Sequence, residues 1–200
     1  MTKRLLACIV VIAVGCDRPA PTNNHANGSS EKGKPARTNG ASSNLSSGAA
    51  ENVELAILDN DDFQSLVASK RGKIVVVDAW ATSCPTCVQE FPNFVAFSKK
   101  YPDDVACISL SFDYEGLDSP EEIRGPILDF LKSQNAAFDN VLSSVPSDEL
   151  YQKLDLYAVP AAFVYDREGK LVKRFDESSS EGYTYKDVEA YVQSLLKWSG

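Results

Sequence analysis

The apolar run Ile74-Val75-Val76-Val77 opens directly onto Trp80-Ala81-Thr82-Ser83-Cys84-Pro85-Thr86-Cys87. A run of this kind suits a strand buried on both faces, and such a strand requires packed layers above and below it. Pro85 suits the first turn of a following helix, where its missing N–H leaves nothing unpaired. Cys84 and Cys87 therefore fall where a buried strand hands over to a helix. At a helix N-terminus the free N–H groups and the dipole stabilise an anion, so a cysteine there can lose its proton near neutral pH. The thiolate attacks disulfides, and a second thiol one turn on can close the ring and expel the bound partner. The chemistry expected of this pair is thiol–disulfide exchange.

Residues 53–200 alternate strand-like and helix-like segments. Strands are expected at 54–58, 73–79, 105–112 and 139–143, and helices at 61–69, from Pro85 onward, and at 120–134. A helix over 147–155 would be capped by Ser147. Residues 161–165 and 171–175 flank Asp166-Arg167-Glu168-Gly169-Lys170, a hairpin with glycine at the tight turn. A last helix over 185–198 carries Val188, Tyr191, Val192, Leu195 and Leu196 on one side. This order argues for an α/β sandwich with a mixed sheet.

The N-terminus reads as a targeting device. Lys3 and Arg4 precede an apolar run from Leu5 to Val14, too short to span a bilayer. Ala13-Val14-Gly15-Cys16 resembles the bacterial lipobox, with Ala13 where leucine is commonest. The resemblance implies a signal peptide over 1–15, cleavage before Cys16, and acylation of that cysteine. Two or three acyl chains anchor a protein stably, whereas one does so marginally. Residues 16–52 are rich in Ser, Asn, Gly and Ala and cannot bury enough apolar surface to fold, so they form a tether. The mature protein would then work outside the cytoplasm, facing the periplasm, where disulfides persist. Net charge is −8 and no basic stripe stands out, so neither a nucleic acid nor a charge-bound membrane surface is an expected partner.

The chain has one histidine, His25, and it lies in the tether. A Cys-His or Ser-His-Asp arrangement within the domain is thereby excluded, as is a His-containing metal site. A cysteine zinc site needs about four ligands, and the domain offers only Cys107 besides the pair. No metal or cofactor is expected. Cys107, in an apolar strand, reads as an inert core thiol.

Several separate positions carry a family resemblance. Asp78 lies six residues before Cys84, Pro92 five after Cys87, and Pro160 follows Val159 and precedes a strand. Together with the order of elements, they resemble the thioredoxin family over essentially all of 53–200. The insertion at 112–134 and the string Cys87-Val88-Gln89-Glu90-Phe91-Pro92 are similar to the TlpA/ResA branch, the membrane-tethered extracytoplasmic thioredoxins. The resemblance implies a three-layer sandwich, a mixed central sheet flanked by helices, with a TlpA-type insertion. It implies a redox-active Cys84–Cys87 disulfide, a cis-proline at Pro160, and partner contacts from Trp80, Pro85, Val159 and Pro160. Ser83 departs from the tryptophan usual before the first cysteine. Pro85-Thr86 and Val159 resemble the oxidising DsbA type, whereas the insertion and Glu90-Phe91-Pro92 resemble reducing relatives, so both directions stay open.

The roles that follow are Cys84 as nucleophile and Cys87 as resolving thiol. Asp78, preceded by three valines and so buried, would hold a raised pKa and take the proton from Cys87. Glu90, one turn past Cys87, could share that task or simply face solvent. The expected partners are protein thiols and disulfides and a membrane or extracytoplasmic redox protein, with apocytochrome c as the first substrate the resemblance suggests. Two other classes bear comparison. A peroxiredoxin-like thiol peroxidase shares the fold but calls for T-x-x-C, a spacing that Thr82-Ser83-Cys84 does not give. A non-enzymatic metal-delivery module is disfavoured for copper by the lack of a domain histidine.

Overall fold

The computed structural model describes residues 52–176 and 182–197. The expected signal peptide, Cys16 and most of the expected tether lie outside the described residues. Elements run β1 (Ala56–Leu58), α1 (Asn60–Ser69), β2 (Ile74–Trp80), α2 (Pro85–Ser98), β3 (Val105–Ser111), α3 (Pro120–Ser133), β4 (Asp139–Ser143), α4 (Ser147–Lys153), β5 (Ala161–Tyr165), β6 (Leu171–Phe175) and α5 (Tyr185–Lys197). Among the described residues the sheet has strand order β1-β4-β3-β2-β5-β6. The first four of these strands run parallel, while β5 is antiparallel to β2 and β6 to β5.

The valine run places β2 at the centre. All seven of its residues are buried, because it is paired on both edges and covered on both faces. Side chains alternate across the sheet. Val75, Val77 and Ala79 pack with Phe63 and Val67 of α1 and Leu150 of α4. Ile74 and Val76 pack with Phe94 and Phe97 of α2 and with Val188 and Val192 of α5. Trp80 packs on this second side too, with Phe91 of α2 and with Ile127 and Leu131 of α3. The result is the expected three-layer sandwich, and α3 with its preceding loop lies between β3 and β4, over the stretch read from the resemblance as an insertion.

Several boundaries differ from expectation for local reasons. α1 begins at Asn60, because the Asp59 carboxylate accepts the N–H groups of Asp61 and Asp62, each at 2.9 Å. β1 starts at Ala56 rather than Glu54, although Leu55 is already buried. Ser147 is not the cap of α4: Pro146 occupies that position, no side chain caps the helix, and it ends at Lys153. α5 is described to Lys197, and Trp198 lies outside the described residues. Gly169 closes the β5–β6 turn with φ +80°, a conformation that glycine adopts without a Cβ penalty.

Candidate active site

β2 delivers its C-terminal end to the edge of the sheet where α2 begins, and Ala81, Thr82 and Ser83 bridge the gap. Cys84 is the N-cap of α2, in extended conformation, and Pro85 is the first helical residue. The Cys87 N–H donates to Cys84 Sγ at 3.1 Å, the capping role that a serine oxygen fills elsewhere. Cys84 and Cys87 are joined in a disulfide with their Cα atoms 5.3 Å apart. The two sulfurs are not equivalent, since Cys84 is half-buried whereas Cys87 is 3 % exposed. A partner can therefore reach Cys84 first. In the reduced state the same N–H and the helix dipole favour negative charge on Cys84.

β5 brings the second wall. Its first residue, Ala161, pairs with Ala79, which sets Val159 and Pro160 beside the cysteine turn. The Val159–Pro160 peptide is cis, and the Val159 carbonyl oxygen lies 3.6 Å from Cys84 Sγ. Val159 and Pro160 are half-buried and Pro85 is exposed, so all three border the sulfur that a partner would meet. Trp80 is different. Its indole is completely buried, with its ring centroid 4.8 Å from that of Phe91 and 5.0 Å from that of Phe130. It supports the site from within, and the expectation that it contacts a partner directly is corrected by that burial.

Beneath Cys87 the same end of β2 holds Asp78, 4 % exposed. Burial pushes its carboxyl up to about 7, opposed by a hydrogen bond from Tyr185 and reinforced by the negative charge of Glu90. A cavity of about 30 Å³ is lined by Asp78, Cys87, Glu90, Pro160, Tyr183 and Tyr185, among others. That volume holds about one water molecule. Glu90 is half-buried and its Oε2 accepts a hydrogen bond from Asn93 Nδ2 at 2.9 Å. Asp78, Cys87 and Glu90 are thus brought to one small cavity, an arrangement suited to moving a proton between them. Cys107 is buried, and desolvation together with nearby Asp78 pushes its thiol far above the usual range, which leaves it unreactive. Among the described residues no group of three or more His, Cys, Asp or Glu could hold a metal ion.

Two residues of the site escaped the sequence reading. Asp113, in the loop after β3, accepts hydrogen bonds from the Thr82 N–H at 2.8 Å, Thr82 Oγ1 and Ser111 Oγ at 2.6 Å. It pins the turn leading to Cys84. Its position two residues past the end of β3, the strand adjoining β2, is the signal that would have singled it out. Tyr185, the first residue of α5, donates its hydroxyl to Asp78 Oδ1. No local pattern marks that contact.

The family model described as Redoxin matches residues 35–193. Sporulation thiol-disulfide oxidoreductase A of Bacillus subtilis is 26% identical over 103 residues, 52% of this chain and 59% of the relative. The chain thus spans about three fifths of that relative's length. A thiol-disulfide isomerase structure from Corynebacterium glutamicum superposes with TM-score 0.51 at 22% identity, covering 74% of this chain and 96% of the other. A secreted Mycobacterium tuberculosis disulfide oxidoreductase superposes with TM-score 0.50 at 19% identity, covering 64% and 86%. These two likenesses show the thioredoxin-like fold.

Proposed function

The chain belongs to the redoxin family, and on that premise we propose that it is a thiol–disulfide oxidoreductase acting on protein substrates through Cys84 and Cys87. One observation carries the reading: a half-buried sulfur at a helix N-cap, bonded to a buried sulfur that shares a cavity with a carboxyl poised near neutrality. In the reducing direction the Cys84 thiolate attacks one sulfur of a partner's disulfide. A mixed disulfide forms and the partner's other sulfur leaves as a thiolate. Cys87 then gives its proton to Asp78, through the cavity shared with Glu90, and attacks Cys84 Sγ. The Cys84–Cys87 disulfide closes and the partner's second sulfur departs. Two electrons have passed from the cysteine pair to the partner, and the reverse sequence oxidises a dithiol. Pro85, Val159 and Pro160 border the extended segment that presents the partner's sulfur.

Substrate preference separates disulfide exchange from peroxide chemistry. The reduced enzyme should turn over a disulfide-bonded protein such as insulin at least about tenfold faster than hydrogen peroxide at equal concentration. Equal or faster peroxide turnover, followed by thiol loss, would replace it with the peroxidase reading.

The N-terminal residues support membrane tethering on the extracytoplasmic side. Lys3-Arg4, the short apolar run and Gly15-Cys16 have the layout of a lipoprotein signal. Among the described residues no helix is long and apolar enough to cross a membrane. The natural partners in this reading are envelope proteins, with apocytochrome c thiols and misoxidised disulfides the two substrate classes, and a membrane or extracytoplasmic redox protein supplies or removes electrons. Cys16→Ser should move the protein from the membrane fraction to the soluble extracytoplasmic fraction. A protein still wholly membrane-bound after that change would rule out the lipid anchor.

A further inference from the structure

Asp78 is the one buried carboxyl at the site, and the side chains around it decide whether it is a usable base. From α2 it is faced by Cys87 and Glu90, from β3 by Cys107, and from the α5 end of the domain by Tyr183 and Tyr185. None of these is a cation. Tyr185 alone among them donates a hydrogen bond to the carboxyl, through its hydroxyl to Oδ1. The tyrosine is itself 6 % exposed, and its ring lies against Phe94 and Phe97, with centroids 5.2 and 6.3 Å away. Burial and the neighbouring carboxyl push its own ionisation well above the usual range, so it stays a donor at every working pH.

The same residue marks a junction. A groove of about 350 Å³ runs between α2 and α5, lined by Glu90, Asn93, Lys100, Thr184, Tyr185 and Glu189 among others. It shares Glu90, Thr184 and Tyr185 with the small cavity that contains Asp78 and Cys87. A partner disulfide-bonded to Cys84 covers the face bordered by Pro85 and Val159, whereas this groove opens on the flank between the two helices.

We propose that Tyr185 is a positioning residue for proton transfer: its hydroxyl holds the Asp78 carboxylate as an acceptor for the Cys87 proton, at the point where the α2–α5 groove lets that proton reach solvent. Without the hydroxyl, desolvation and the Glu90 charge act on Asp78 unopposed. A hydrogen bond to a charged group is strong enough to move a titration midpoint by about one to two pH units. The proposal rests on the oxidoreductase reading for its kinetic consequence but not for its titration.

The test is Tyr185→Phe, which removes one oxygen and keeps the ring contacts. In the oxidised protein, with no partner present, the Asp78 carboxyl carbon is followed by NMR against pH. Its midpoint should lie near 7 in the wild type and rise by about one to two pH units in the variant. In the reduced protein, release of a partner from the mixed disulfide should show its pH profile displaced upward equally, slowing about tenfold at pH 7, while mixed-disulfide formation changes less than twofold. An unmoved Asp78 midpoint in a folded variant overturns the proposal whatever the kinetics. A shifted midpoint with unchanged release leaves the hydrogen bond in place but overturns the kinetic role, and with it the use of Asp78 as base, not the exchange chemistry of Cys84. If the variant does not fold, the wild type decides: an Asp78 midpoint in the ordinary carboxylate range, or no deuterium isotope effect on its carboxyl resonance from the Tyr185 hydroxyl, overturns it.

Discussion

Cys87→Ser should convert the protein from a catalyst into a trap. Cys84 keeps its half-buried position at the helix N-cap and the backbone N–H of residue 87 as donor, so the first attack on a partner disulfide proceeds. The serine hydroxyl cannot expel the partner, and the mixed disulfide accumulates. Turnover should fall at least ~1000-fold, the scale seen when one member of a covalent catalytic set is removed, while covalent adducts with partner proteins become visible on non-reducing gels and disappear with reductant. Cys84→Ser should lose turnover as fully and form no adducts. Adducts held by Cys84→Ser through Cys87 would reverse the assignment of the two cysteines.

Asp78→Asn should separate stability from catalysis in opposite directions. The native carboxyl titrates at about 7, against an ordinary value of 3.8. Between those pH values the folded chain holds a proton that the unfolded chain has released, so stability falls as pH rises through that window. Each pH unit between the two values corresponds to about 1.4 kcal/mol, so the loss amounts to roughly 4 kcal/mol by pH 8. Asparagine keeps an acceptor for the Tyr185 hydroxyl and carries no charge. The oxidised variant should therefore match the wild type in unfolding free energy near pH 4 and exceed it by up to about 4 kcal/mol at pH 8. Denaturant titrations at the two pH values measure the difference, and equal stability at pH 8 would mean that Asp78 is not desolvated as the fold indicates. The catalytic effect is a loss. Attack by Cys84 needs no proton transfer to Asp78, whereas attack by Cys87 does, so release of the partner should slow about 100-fold and formation less than tenfold. The wild-type release rate should climb through pH 7 as Asp78 loses its proton, and the variant should lack that rise. If Asp78→Asn slows only the first attack, the proton is being handled for Cys84 instead.

The elements were readable wherever one local pattern dominated. The valine run marked β2, Pro85 marked the start of α2, and the 161–175 hairpin declared itself through its turn. Two of the misplacements were at caps, where one side chain decides the boundary: Asp59 moved the start of α1, and Pro146 took the place expected of Ser147. For Trp80, next to the cysteine turn in sequence, the family resemblance implied contact with a partner. The inward course of β2 buries it under α2 and α3 instead.

By itself the sequence determined the cysteine turn, its place at the end of a buried strand, and the burial of Asp78, because strand periodicity, proline position and helix start signals act over a few neighbouring residues. Only the tertiary structure decided what surrounds them. The Val159 carbonyl beside Cys84, Asp113 beneath Thr82 and Tyr185 against Asp78 are contacts across 75, 31 and 107 positions of chain. They follow from strand order and from where α5 settles on the sheet. No run of adjacent residues encodes that placement, since it results from burying the apolar faces of distant elements against one another, and it sets both the electrostatics of Asp78 and the side of the disulfide that a partner can reach.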